Sequence, residues 1–192
     1  LDDELIPQPV SLLHSLIEKY IECPSREMPS IDHMQDFYIP LLQTVALFCI
    51  KDTSDDVFTR FRDFQVILTF QGIEKQTPQM WDSVFEMVLF PSLARLTTEI
   101  SAQSKNKSQN NNNNNVLNEN NAENMKQRAI MMVRVVFKTF LSSYCFLSNL
   151  PTFSFIWFKM VQFMMNLMRV NDSDLNECIP EMLGNALLVM KE

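Results

Sequence analysis

Between Met80 and Leu96 the apolar residues Met80, Trp81, Val84, Phe85, Val88, Leu89 and Leu96 recur mostly every three or four positions. That spacing places them on one wide face of a helix. Thr77 stands before the run as a candidate N-cap, with Pro78 at the first helical position, where its missing N–H is not needed. Pro91 interrupts the run and is expected to kink it, because the ring displaces the bond to the carbonyl four residues back. A kinked amphipathic helix cannot bury its face alone, and the rest of the chain is patterned to cover it.

The same period predicts further helices on either side. Leu12, Leu13, Leu16, Ile17, Tyr20 and Ile21 mark a short one over 10–22, with His14 near the edge of its apolar face. A second runs over 31–51, capped by Ser30 or Asp32, carrying Met34, Phe37, Tyr38, Leu41, Leu42, Val45, Ala46, Phe48 and Cys49, and bent at Pro40. The third, 55–70, has Ser54 as cap, Asp55 and Asp56 in the first turn, and Gly72 closing it; its buried face is Val57, Phe58, Phe61, Phe64, Ile67 and Leu68. The adjacent Asp55 and Asp56 suit a solvated helix start, where the dipole favours acids, better than metal or acid–base chemistry.

Downstream, Ala129 to Tyr144 give a long helix over about 123–147. The stretch 150–170 carries a stripe of Phe153, Ile156, Trp157, Met160, Val161, Met164, Leu167 and Met168, with Phe155, Phe158, Phe163 and Met165 on other faces. Apolarity all round predicts a central buried helix, or else one with an edge of Met and Phe facing a partner or membrane. Lys159, Gln162, Asn166 and Arg169 break it at helical intervals and argue against a span. On this reading Trp157 belongs to the core. A last helix runs from Asp172 or Leu175 to Met190, capped by Ser173 and Asp174, with Leu175, Ile179, Met182, Leu183, Ala186, Leu187 and Met190 buried and Pro180 inside it.

Three segments echo one another: FYIPLLQTVALF around Pro40, VLFPSLARLTTE around Pro91 and ECIPEMLGNALLVM around Pro180. Kinked helices alternating with straight partners predict an all-α solenoid of stacked pairs, with a compact single bundle as the alternative. The expected organisation is 1–100 as the first part of the repeats, 101–124 as a disordered asparagine-rich insertion, and 125–192 as the last part. Asn110 to Asn115 is unbroken asparagine, which buries too little apolar surface to offset the entropy of ordering it.

Composition narrows the function classes. Gly72 and Gly184 are the two glycines, which excludes glycine-rich phosphate-cradling loops and argues against hairpin-rich β folds. A formal charge of −7 speaks against a nucleic-acid partner. Cys23, Cys49, Cys145 and Cys178 are far apart and are expected as buried apolar residues of a reducing compartment; with His14 and His33 they form no zinc-ligand spacing. No catalytic, cofactor-binding or metal-ligating residue is nominated. Leu1 is followed by Asp2, Asp3 and Glu4 rather than a basic n-region, so no signal peptide is expected, and the absent methionine suggests a piece of a longer polypeptide.

WDSVFEMVLFPSLARL, FLSNLPTFSFIWFKMVQFMMNLM and LNECIPEMLGNALLVMKE resemble the C-terminal helical regions of the large Golgi Arf guanine-nucleotide exchange factors of the Gea/GBF type. Trp81, Phe85, Leu89, Phe90, Pro91 and Leu93 carry the likeness, with Phe153 and Trp157, and then Glu177, Ile179, Pro180, Glu181, Leu183, Asn185, Leu187, Leu188, Val189 and Met190. FYIPLLQTVALFC is similar to an upstream segment of the same family, so the resemblance covers about 37–192 without the insertion. It implies a non-catalytic module of armadillo/HEAT-like character, lying downstream of an exchange domain that has no counterpart here. It also implies contacts with small GTPases or other domains of the parent chain, peripheral membrane contact, and a cytoplasmic location on Golgi membranes. Most of the matching residues are expected in the core. Without that lineage, the reading is a generic helical-repeat adaptor that binds a protein partner.

Overall fold

The computed structural model of the chain describes residue 36 and residues 38–51, 57–69, 77–107 and 115–191, the side chains of 103–107 and 115–122 excepted. The expected helix over 10–22, His14, His33, Cys23, the Ser54 cap with Asp55 and Asp56, and Gly72 lie outside the described residues. Seven α-helices are described: α1 (Ile39–Lys51), α2 (Val57–Thr69), α3 (Pro78–Val84), α4 (Phe90–Lys107), α5 (Asn115–Leu147), α6 (Phe153–Met168) and α7 (Ser173–Lys191). No strand occurs among the described residues.

α3 and α4 are one continuous element joined by a π turn, Phe85–Leu89. Thr77 occupies the N-cap position and Pro78 the first helical position as expected, although the Thr77 side chain makes no capping bond. The expected kink at Pro91 takes the form of this turn. Phe90 N–H bonds to Phe85 O, five residues back, so one extra residue enters the helix just before the proline. The wider turn moves the pyrrolidine ring away from the carbonyl it would strike in a regular helix. Pro91 has no N–H to give the Met87 carbonyl four residues back, and the Gln43 side chain of α1 donates to it at 2.8 Å.

The contacts sort into three successive helix pairs. α1 packs on α2, the α3–π–α4 element on α5, and α6 on α7. Between pairs, α1 meets the π turn and α4, and α4 meets α6; on the other side α2 meets α5, and α5 meets α7. First helices therefore stack on first helices and second on second, the two-layer arrangement of a helical solenoid. The echo of Pro40 and Pro91 has a structural counterpart: residues 36 and 38 also lie in a π turn that ends two residues before Pro40, as Phe85–Leu89 ends two before Pro91. Pro180 breaks the pattern. It lies in α7, a second-layer helix that runs uninterrupted through it.

Several expectations are corrected. The central helix is α5 rather than α6: Ala129, Met132, Val133, Val136, Phe137 and Phe140 are all buried, along with Thr139 and Ser143. α5 is covered by α2, α4 and α7 and also meets α1 and α3, whereas α6 has pair neighbours on one side. The segment 101–124 is not uniformly without structure, since α4 continues to Lys107 and α5 begins at Asn115. Once a helix is nucleated by packed residues, each further residue adds one hydrogen bond, and weak formers such as Ser and Asn are carried along. Cys49 and Cys178 are buried but Cys145 is exposed. Phe58 is exposed on α2 and Arg60 takes a buried place instead.

Phe140 is the aromatic hub. Its fully buried ring lies 5.5 Å from Trp157, 6.0 Å from Tyr144, 6.2 Å from Phe153 and 6.4 Å from Phe85. Such pairs contribute roughly 0.5–1.5 kcal/mol each beyond their buried area. Trp157 itself is half-buried, packed on the core by one face. Phe140→Ala is expected to cost about 3–5 kcal/mol. Trp157→Ala should cost less, because part of its ring is already in water. Denaturant unfolding of the two variants checks the ranking; an equal or larger loss for Trp157 would contradict it.

Candidate interaction surface

α6 is placed by its inner side. Phe163 stacks on Phe90 of α4 at 5.6 Å between centroids. Lys159 pairs with Glu86 of the π turn, and its ammonium lies over the rings of Phe90, at 5.0 Å, and Phe155, at 5.4 Å. Thr152, just before the helix, donates its hydroxyl to Asp82 of α3 at 3.0 Å. The π turn is thus held from one side by Gln43 and from the other by Lys159.

α7 is placed by its N-terminus. Asn171 adopts a left-handed backbone, φ 57°, a conformation Asn tolerates better than most residues, and turns the chain between α6 and α7. Asp172, not Ser173 or Asp174, is the cap: its Oδ1 accepts from the N–H groups of Asp174 at 3.1 Å and Leu175 at 3.2 Å. Its Oδ2 accepts from Lys126 of α5 at 2.7 Å. Burial on its own would push the Asp172 carboxyl up, but the Lys126 hydrogen bond, backed by the two N–H bonds, holds it below the usual carboxylate range. The bond to Asp172 raises Lys126 in turn.

The outer sides of these two helices are apolar. On α6, Phe155, Phe158 and Met165 share one exposed stripe with Gln162, and Phe158 is 66% exposed. On α7, Pro180, Gly184, Leu187 and Leu188 lie on the exposed side, rimmed by Glu177, Glu181 and Lys191; Leu188 is 66% exposed. A Cβ added at Gly184 would meet nothing within 4 Å. The edge of Met and Phe anticipated on α6 is present. Placing Leu187 and the other family-resembling residues of α7 in the core is corrected for Pro180, Leu187 and Leu188, which face outward.

Among the described residues, chemistry-bearing groups are not brought together. Among the described residues no group of three or more His, Cys, Asp or Glu could hold a metal ion. Burial also pushes the Tyr38 hydroxyl up, out of the range of acid–base work near neutral pH. One described helix segment, Glu123–Leu147 of α5, is long and apolar enough to cross a membrane. Its apolar residues are those packed against α2, α4 and α7 in the core.

Residues 38–192 match the family described as GBF1-like, tetratrico peptide repeat region. The chain belongs to this family. The GBF1-like repeat region is also 32% identical over 161 residues, 81% of the chain, to "ARF guanine-nucleotide exchange factor GNOM" of Arabidopsis thaliana. It is 31% identical over 111 residues, 57% of the chain, to "Golgi-specific brefeldin A-resistance guanine nucleotide exchange factor 1 homolog" of Caenorhabditis elegans. The matched stretches are 10% and 5% of those two relatives' lengths. No solved structure shows significant similarity. The all-α helical-repeat architecture and the Arf exchange-factor lineage expected from the sequence therefore stand; the family's repeat label is tetratrico peptide rather than armadillo/HEAT.

The Asp172 cap yields a pH-dependent prediction. A carboxyl whose folded pKa is depressed contributes stability above its unfolded pKa, near 4, and that contribution is lost as pH falls through the folded value. At pH 7, Asp172→Ala should cost about 1–2 kcal/mol, the range of a lost N-cap. Asp172→Asn, which still caps but cannot pair with Lys126, should cost under about 1 kcal/mol, the range of a partly exposed ion pair. The gap between wild type and Asp172→Asn should close as pH drops below 4. Thermal unfolding across pH 2–7 checks this, and a gap that persists at the acid end would contradict it.

Proposed function

We propose that this repeat region is a non-catalytic regulatory and scaffolding module of a large Arf guanine-nucleotide exchange factor acting in Golgi vesicle traffic. The observation that carries the reading is the family match across 38–192, which aligns the chain with a helical-repeat stretch of proteins named as Arf exchange factors. The module presents stacked helix pairs to protein partners, among them small GTPases or other domains of the parent chain. It works at the cytoplasmic face of Golgi membranes as a peripheral component. The formal charge of −7 fits protein contacts better than nucleic acid. A second reading, a generic helical-repeat adaptor, is favoured by the exposed apolar residues of α6 and α7, which suit protein contact without reference to exchange.

The test of the first reading is nucleotide exchange on an Arf GTPase, followed with the purified 192-residue chain alone and then in the complete exchange factor. Alone, it should leave release at the spontaneous rate. Lys159→Glu places a second acid against Glu86 at the π turn. In the complete factor it should change exchange on membranes at least twofold. A rate well above spontaneous for the chain alone would contradict the non-catalytic reading. An unchanged rate for the Lys159→Glu factor would favour the adaptor.

A further inference from the structure

Each joint between pairs in this fold is made by both layers: α1 and α2 cover one side of the central pair, and α6 and α7 cover the other. The far side of α6 and α7 carries the same kind of residue that fills those joints. Phe155, Phe158, Met165, Leu187 and Leu188 are each large, apolar and exposed. A helical pair that ends a solenoid needs a polar outer face to stay soluble. On this pair the outer polar residues Gln162, Glu177, Glu181 and Lys191 are interspersed with those five large apolar ones.

We infer that α6–α7 is an internal repeat, and that its outer face is covered by a further α-helical hairpin of the same polypeptide. The hairpin would stack one helix on α6 and one on α7, as the central pair does from the other side. The occupant's chemistry follows from the face. Its helices present an apolar stripe to Phe158 and Leu188, bases to Glu177 and Glu181, and an acid to Lys191, the three exposed charges that rim the α7 side. The relatives have room for such a hairpin, since the matched stretches are 5% and 10% of their lengths. A lipid surface fits poorly. Membrane-surface helices set Lys and Arg on their polar side, whereas the exposed side of α7 sets two acids, Glu177 and Glu181, against one base, Lys191, on a chain of charge −7. A second copy fits poorly too, because joints in this stack pair unlike faces, and repeating one between copies makes an open filament. The inference rests on the stacking of the pairs and holds whether or not the module regulates exchange.

Site-specific photocross-linking in the complete gene product, expressed in its own cells, tests it. The cross-linking amino acid p-benzoylphenylalanine replaces Phe158 in one variant and Leu188 in another. Replacing Trp157 instead provides the reference, where cross-linking to the Phe140 peptide reports an intact fold. The expected result is a product of single-chain mass, in which both positions are joined to a helical segment of the same polypeptide outside residues 1–192. Cross-links to lipid, to a different protein or to a second copy would each overturn the proposal, as would cross-links confined to residues 1–192 or none. A second measurement guards against misfolded variants. Phe158→Asp with Leu188→Glu should leave the unfolding midpoint of the 192-residue chain within about 2 °C, the shift expected of surface changes. The same pair should lower that of the complete protein by 5 °C or more. Equal shifts in both would overturn the inference.

Discussion

A proline inside a helix removes one N–H and drives its ring toward the carbonyl four residues back, at a cost of about 3 kcal/mol if nothing gives way. At Pro91 the chain gives way by a single inserted residue, closing the Phe90 to Phe85 bond across five positions. Everything around this turn is arranged to use the distortion. The orphaned Met87 carbonyl is met by Gln43 from the preceding pair, and the Ser92 hydroxyl bonds to Val88 O at 2.7 Å. Glu86, carried on the same turn, reaches Lys159 of the following pair. One local departure from regular geometry therefore registers three helix pairs against one another.

Behind the turn, α5 supplies the apolar wall. Its residues fill the space between α2 and α7, and Phe140 draws in rings from the π turn, from its own helix and from α6. Arg128, buried on the same helix, donates to the Ile50 carbonyl at 3.0 Å, in the last turn of α1, where a cation also complements the helix dipole. Polar bonds fix the register between elements, while burial of apolar surface provides the driving force.

Much of this was legible in the sequence. A repeat of three and four residues is a strong signal over long runs, and α2, α4, α5, α6 and α7 fall where it placed them. The proline echo was legible too, and two of its three members share a π turn. Four things were not. The sequence pattern cannot tell which of two apolar helices has neighbours on more sides, so α6 was assigned the central place that α5 holds. Helix ends in a polar tract depend on nucleation elsewhere, which hid the helical arms entering 101–107 and 115–124. The caps misled as well: Ser173, Asp174 and Asp172 all suit an N-cap, and the turn at Asn171, with Lys126 beside it, selects Asp172. The outward turn of Leu187 and Leu188 was hidden too: the period marks them as apolar but not which arc of α7 meets its neighbours, and Ala186 takes the buried place.

The functional picture depends on the same geometry, because a module of stacked pairs transmits displacement only through its joints. The π turn touches both neighbouring pairs, through Gln43 of one and Lys159 of the other. Its hydrogen bond can be read directly by nuclear magnetic resonance, as the scalar coupling between an amide nitrogen and the carbonyl carbon it bonds. In a deuterated, isotope-labelled sample the Phe90 nitrogen should couple to the Phe85 carbonyl carbon, five residues back. Coupling to the Glu86 carbonyl instead would mean an ordinary α-helix through this stretch and would contradict the account.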